Sequence, residues 1–213
     1  MVKKKGLNTS TLFDEEYFEK GLITGKSCYQ NYRWMPELTI RMAYNIIKIL
    51  DVNEESILDY GCAKGYLVKA LRILDVDAYG CDISKYAISM VDPEVKQYCK
   101  LIKKNIPFKK VDWIITKDVL EHLDIKTLDD FIKHSRKKAD KCFHVIPLAE
   151  KGKYICKEYE NDITHKIRKS SKWWIDRFRE YGWELKTFDY YARGIKENWT
   201  SKYQRGNGFF IFE

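Results

Sequence analysis

The 213-residue chain has only four prolines, four histidines and no Cys-x-x-Cys pair. So few prolines, with no Ser- or Gly-rich tract, mark no linker, and the length fits one domain. The six cysteines (Cys28, Cys62, Cys81, Cys99, Cys142 and Cys156) are scattered. That scatter excludes a zinc ribbon and argues for reduced thiols in a cytoplasmic protein rather than a disulfide frame. No stretch approaches the roughly 18–20 apolar residues of a membrane span. The opening "MVKKKGLNTSTLF" has a basic cluster without an apolar run behind it, and is expected not to be a secretory signal. Internal repeats are missing too.

What is present is a core. Hydrophobic residues make up 45% and aromatics 15%. The net charge of +8 invites a nucleic-acid reading, yet only nine of the 39 basic residues are Arg and the lysines are dispersed. Dispersed Lys reads as a solvated basic surface. The clusters "RKKADK" (136–141) and "HKIRKSSKWW" (165–174) keep a polyanion site open.

Residues 13–50 read as helical, and "PELTIRMAYNIIKIL" (36–50) spaces its apolar residues by three and four behind Pro36. After residue 50 the periods alternate. "SILDY", "DAYGCDI", "QYCKLI", "VDWIIT" and "KCFHVI" read as strands. Helical "YLVKALRILD", "SKYAISMV", "VLEHLD" with "TLDDFIKHSRKKA", and "SKWWIDRFREYG" fall between or after them. "WELKTFDYYA" and "NGFFIFE" are two last strands without a helix between them. This predicts a doubly wound, seven-stranded, mostly parallel sheet in three α/β/α layers, with an antiparallel C-terminal edge. Ligand is expected at the carboxyl ends of the strands.

"SILDYGCAKGYLVKALR" (56–72) places glycines where a strand becomes a helix, so backbone N–H groups are expected to face an anionic or polar ligand. A P-loop needs GxxxxGK[ST], which is missing, and a dinucleotide fold wants GxGxxG. Gly61-Cys62-Ala63-Lys64-Gly65 is GxxxG with Asp59 two residues ahead.

In these residues the chain resembles the Rossmann-like class I S-adenosylmethionine-dependent methyltransferases. Their first motif, apolar-Asp-x-Gly-x-Gly-x-Gly, is matched by "LDYGCAKG" with Ala63 in place of a glycine. Such a replacement is tolerated if Ala63 avoids positive φ. The resemblance implies that Asp59 helps hold the amino end of S-adenosyl-L-methionine and that Gly61, Cys62, Ala63 and Gly65 form its loop. Asp82, with Ile83 beside it, would accept the ribose hydroxyls. "NIPFKKVDWIITKDVLEHL" (105–123) resembles the fourth-strand region, implying Asn105 and Ile106 along the adenine and Lys117, Asp118 and Val119 by the methionine end. "HVIP" and the Asp-x-Thr-His of "DITHKIRKSSKWW" extend the match over roughly residues 50–213. In related enzymes an N-terminal segment covers the cofactor; here residues 1–50 are expected to do so, with Tyr29, Tyr32 and Arg33 as candidates for its carboxylate.

Methyl transfer chiefly requires a nucleophile aligned with an already electrophilic methyl, assisted by a general base. His134 sits on a basic helix and His144 on a strand, which leaves His122 and His165 as candidate bases. No metal is assigned. The alternative is that Asp118-x-x-Glu121-His122 with His165 resembles the metal set of ubiquinone-pathway O-methyltransferases and small-RNA 3′-end 2′-O-methyltransferases. The expected reaction is O-methylation of a small-molecule or saccharide acceptor. A nucleic-acid acceptor remains the second reading, with Trp173, Trp174 or Trp199 as stacking platforms. A non-catalytic partner subunit is a third reading, opposed by Asp59, Gly61, Gly65 and Asp82.

Overall fold

The computed structural model describes residues 11–213, so the basic stretch at residues 1–10 lies outside the described residues. Seven strands form one sheet: β1 (Ile57–Tyr60), β2 (Ala78–Asp82), β3 (Cys99–Leu101), β4 (Trp113–Lys117), β5 (Lys141–Pro147), β8 (Leu185–Asp189) and β9 (Asn207–Phe212). Their order is β3-β2-β1-β4-β5-β9-β8. The first five pair in parallel, and β9 runs antiparallel to both β5 and β8. The expected antiparallel edge is present, with the C-terminal strand inboard and β8 outermost.

Alternation along the strands feeds two cores. Ile57, Trp113, Ile115, Phe143 and Phe209 share one cluster with α3 (Pro36–Leu50) and α4 (Tyr66–Ile73). Leu58, Ile114, Cys142, Phe210 and Phe212 share the other with α6 (Ile125–Ser135) and α7 (Ser171–Arg179). Helices on both faces make the three layers. The strand order reverses between β1 and β4, and that switch point opens a crevice at their carboxyl ends.

Four local features depart from the expected pattern. Residues 13–50 are not one helical run: α1 (Glu15–Glu19) and α2 (Gly21–Thr24) stop at Gly25, φ +72°, and irregular chain leads to Pro36 at the start of α3. "VLEHLD" is a single 3-10 turn at Leu120–His122, because Asp118 at φ +57° breaks the path ahead of it. α5 (Lys85–Ser89) is shorter than its apolar pattern. Beyond β5 the chain adds a hairpin of β6 (Ala149–Glu150) and β7 (Lys153–Tyr154), then, past β8, α8 (Glu197–Lys202). No helix among the described residues is long and apolar enough to cross a membrane.

Candidate functional site

β1 delivers Asp59, buried, to the crevice, and the chain turns through Gly61–Gly65 into α4. Gly61 sits at φ +86°, and a Cβ there would stand 2.4 Å from Val119 Cγ2. The two switch-point loops are in contact. Ala63 has φ +49°, so the condition that it avoid positive φ is not met. The left-handed conformation costs an alanine about 1–2 kcal/mol. It is held by the Ala63 amide, which donates to Asp82 Oδ2 at 2.8 Å.

The other loop amides also turn inward. Gly61 and Cys62 both donate to the Cys81 carbonyl, at 2.7 and 3.1 Å, and Gly65 donates to Cys62 at 2.8 Å. A row of free N–H groups facing a ligand is therefore not what these four supply. The polar groups that this loop brings to the crevice are carboxylates. Asp82 takes the Ala63 amide on one oxygen and the Ser84 amide on the other at 2.7 Å, leaving further lone pairs on each. Burial raises its pKa against those bonds. Burial, and then the charge of Asp82, push Asp59 up to about 7, with Lys117 opposing. Ile83 is exposed; Asn105 is exposed while Ile106 is buried in the cluster of Leu58 and Cys81.

The N-terminal segment lies on this loop. Phe13, Tyr17, Phe18, Tyr29 and Tyr32 pack in one cluster with Ala63, Tyr86 and Ala87. Lys64, 5% exposed, ties loop to segment: its ammonium donates to Glu19 at 2.5 Å and to the Tyr32 carbonyl at 2.7 Å. The Tyr86 hydroxyl donates to the same Glu19 oxygen at 2.9 Å, and Ser84 Oγ to the Phe13 carbonyl at 2.5 Å. Burial and then Asp59 raise the Tyr32 phenol, whereas the charge acting most on Tyr29 after burial is Asp118. Tyr29 and Tyr32 are thus brought to the site. Arg33 is exposed.

Past β4 the chain builds a second, more polar cluster. The Lys166 and Ile167 amides donate to the Glu121 carbonyl at 2.8 and 2.9 Å, which draws the segment after β7 against the 3-10 turn. His165 and His122 then meet with ring centroids 4.5 Å apart. His165 Nδ1 donates to the Tyr159 carbonyl at 2.8 Å. Thr164 gives its hydroxyl proton to Asp162 at 2.5 Å, so it accepts from His122 Nδ1 at 2.7 Å. Both rings are fixed as Nδ1–H tautomers with Nε2 lone pairs free. Tyr17 closes the network by donating to Asp162 at 3.1 Å.

Glu121 is fully buried, and among the described residues neither of its oxygens has a hydrogen-bond partner. One ligand atom from each of Glu121, His122 and His165 lies within 4.8 Å of the others. Burial, then the neighbouring His165, push His122 down to about 4; burial likewise lowers His165. Burial, then Asp118, raise Glu121 well above the carboxylate range. An orphaned buried carboxylate beside two neutral imidazoles fits a divalent cation of the kind that takes mixed N and O ligands.

Asp118 does not join them. Lys117 takes one of its oxygens at 2.7 Å and Lys196 the other. Against burial, which alone would raise it, these two ammonium groups hold Asp118 well below the usual range. Among the described residues the group able to hold an ion is Glu121, His122 and His165, and Asp118, the first member of the set that the resemblance offered as an alternative, stays outside it. Val119 packs on Gly61, and Lys117 is half-buried. His144 is a core residue bonded to Thr116 at 2.8 Å, and His134 is exposed. Of the expected stacking platforms, Trp174 is fully buried, Trp199 has one face stacked on Tyr159 at 5.5 Å, and Trp173 stays half-exposed. Glu19, Lys64, Tyr159 and Lys196 were not found from the sequence, since lone Lys, Glu or Tyr residues carry no spacing signal. Asp162 and Thr164 had one, in Asp-x-Thr-His.

The methyltransferase-domain family matches residues 32–185. The chain belongs to that family, and is a class I S-adenosylmethionine-dependent methyltransferase. No curated protein matches the sequence. Among solved structures, a SAM-dependent methyltransferase from Archaeoglobus fulgidus is similar with a TM-score of 0.61 at 15% identity, over 84% of this chain and 94% of that one. The methyltransferase domain of bacterial CtHen1 gives 0.56 at 18% identity, over 82% and 97%. The 1,6-didemethyltoxoflavin-N1-methyltransferase of Burkholderia thailandensis, solved with S-adenosylhomocysteine, gives 0.60 at 8% identity, over 83% and 78%. At these identities the likeness is one of fold.

Proposed function

We propose that the protein methylates a hydroxyl oxygen of a small-molecule or saccharide acceptor, and that Glu121, His122 and His165 hold a divalent cation to which that acceptor binds. Glu121 carries the reading: a fully buried carboxylate without partners, facing two imidazoles with free Nε2 atoms. Such a cation, when bound, lowers the pKa of a coordinated hydroxyl. The protein's part is positional. Asp162 through Thr164, and the Tyr159 carbonyl, orient the two rings. Asp82 accepts the ribose hydroxyls, Asp59 the amino end, and Gly61, Cys62, Ala63 and Gly65 shape the loop around the adenosyl group. Ile83, Asn105 and Ile106 flank the adenine, and Lys117, Asp118 and Val119 border the methionine end. Tyr29, Tyr32 and the rest of the segment before α3 cover the cofactor and exclude water; Arg33, exposed beside Tyr32, is the cation of this segment for its carboxylate. As bases His122 and His165 would be weak, because burial lowers the pKa of both. Burial of Trp174 and the stacking of Trp199 on Tyr159 count against a nucleic-acid acceptor, and half-exposed Trp173 is the platform left for it. Six unpaired thiols support a reducing, cytoplasmic setting.

Chelation followed by Mg²⁺ or Mn²⁺ addition tests this. Activity across a pool of hydroxylated acceptors should be lost and then restored. His122→Ala and His165→Ala should lower turnover by about 10²-fold with cofactor affinity nearly unchanged. Chelator-insensitive activity that still needs both histidines would return them to the role of bases.

A further inference from the structure

The segment before α3 touches both halves of the crevice, through different atoms. On the cofactor side the Phe13 carbonyl accepts from Ser84 Oγ at 2.5 Å, and the Ser84 amide in turn holds Asp82 at 2.7 Å. Glu19 takes the ammonium of Lys64 from the Gly61–Gly65 loop. On the other side the Phe13 ring stands edge-on to His122, centroids 5.5 Å apart, and edge-on to Tyr17 at 5.0 Å. Tyr17 is buried, and its hydroxyl crosses to Asp162, 145 positions along the chain. Asp162 is buried as well. Its Oδ1 accepts the Thr164 amide at 2.9 Å and the Thr164 hydroxyl at 2.5 Å, while its Oδ2 accepts from Tyr17. Thr164 then fixes the His122 ring.

The Tyr17 hydroxyl adds nothing to the packing of the aromatic cluster, which a phenyl ring would fill as well. A hydroxyl buried without a partner is costly, so its bond to Asp162 fixes where the segment sits against the acceptor side. We propose that Tyr17 is a positioning residue that couples the two halves. Cofactor bound under the segment holds Tyr17 on Asp162, and through Thr164 holds His122 in place for the acceptor. The acceptor half is then fully ordered only once the methyl donor is loaded, which makes cofactor binding precede productive acceptor binding. Coupling of this kind is reciprocal: whatever orders Asp162 and Thr164 also tightens the hold on the cofactor. The inference rests on the cofactor site as read above and needs no cation, since His122 must be oriented whether it serves as ligand or as base.

Hydrogen exchange of backbone amides in the full-length protein, with and without saturating S-adenosylhomocysteine, tests the coupling. The reporters are the Thr164 amide, bonded to Asp162, and the Lys166 and Ile167 amides, bonded to the Glu121 carbonyl. In wild type S-adenosylhomocysteine should slow the reporters about tenfold, along with the amides of the Gly61–Gly65 loop. In Tyr17→Phe the loop should still be protected, while the effect on the reporters falls to within about twofold of none. Glu19→Ala, which frees the segment from the loop at its other end, should weaken the same effect. Tyr17→Phe reporters that exchange faster throughout, yet still slow about tenfold on adding S-adenosylhomocysteine, would make Tyr17 a brace only and overturn the proposal. Wild-type reporters indifferent to S-adenosylhomocysteine while the loop slows would overturn it too. If Tyr17→Phe does not fold, wild type and Glu19→Ala decide: a smaller reporter response in Glu19→Ala supports the coupling, and an equal one overturns it. Protection of neither stretch in wild type overturns the cofactor site as read, and this inference with it.

Discussion

Ala63 shows how one side chain reports on a whole loop. Its amide must reach Asp82 while its backbone follows a path that its family fills with glycine, and it keeps a left-handed φ to do so. Ala63→Gly should relieve about 1–2 kcal/mol of strain while the freer unfolded chain returns about 0.5–1 of it. A net gain of up to about 1.5 kcal/mol, or a melting temperature higher by up to about 6 °C, is expected. A variant that melts lower would show that the alanine methyl contributes more through its contacts with the N-terminal aromatics than it costs in strain. Asp82 has a double duty of the same kind. Because it anchors the Ala63 and Ser84 amides and, as proposed, accepts the ribose hydroxyls, Asp82→Ala should lose both stability and cofactor affinity. Calorimetry on Asp82→Asn isolates the charge: about 1.5–3 kcal/mol of S-adenosylmethionine binding should go with the charge-assisted hydrogen bonds. Equal affinity in wild type and Asp82→Asn would remove the ribose role.

At the scale of elements, the N-terminal segment and the loop it covers are joined by a few polar contacts around Glu19. That carboxylate receives the Lys64 ammonium and the Tyr86 hydroxyl, and Lys64 also reaches the Tyr32 carbonyl. Glu19→Ala leaves a nearly buried ammonium without its ion partner, a change that loosens the cover more than the parallel sheet beneath it. Cofactor should then exchange faster, by about tenfold or more in stopped-flow release, with the sheet's unfolding midpoint little changed. An unchanged release rate would mean that the aromatic cluster alone holds the segment down. The sheet was legible because each strand repeats an apolar pattern bounded by turn residues, from Ile57–Tyr60 to Asn207–Phe212. The segment was only half legible: its aromatics announced burial, but nothing in "FDEEYFEKGLITGKSCYQNYRWM" marks the break at Gly25 as stronger than its helical period. The β6–β7 hairpin and α8 escaped notice for another reason, since each is held by tertiary contacts such as Tyr159 with Trp199 rather than by local pattern. Glu121, His122 and His165 carried a spacing signal, whereas the pairing of Asp118 with Lys196 joins residues 78 positions apart and has no local trace.

Across the whole molecule, buried titratable groups pull stability in opposite directions with pH, and the balance can be taken apart. Asp59, raised to about 7, contributes stability that is fully present below its unfolded value and lost as pH rises through 7. Glu121 acts in the same sense. The buried histidines do the reverse. Burial holds His144 down to about 3, so its contribution is present above the unfolded value near 6.5 and is lost as pH falls toward the folded value. Since the unfolded chain binds that proton and the folded one does not, each pH unit below about 6.5 costs about 1.36 kcal/mol from this site alone. His144 lies in the core away from the crevice groups, bonded to Thr116 and packed by Phe178. His144→Asn retains an amide able to bond Thr116 and removes the titration. Urea unfolding at pH 7.5 and pH 5 should therefore show wild type losing about 2 kcal/mol more than His144→Asn between the two, whatever the absolute stability of either. The comparison cancels Asp59, Glu121, His122 and His165, which both proteins share. Parallel stability curves would mean that His144 is reached by solvent protons in the folded state, and that the core between β5 and α7 is looser than its packing indicates.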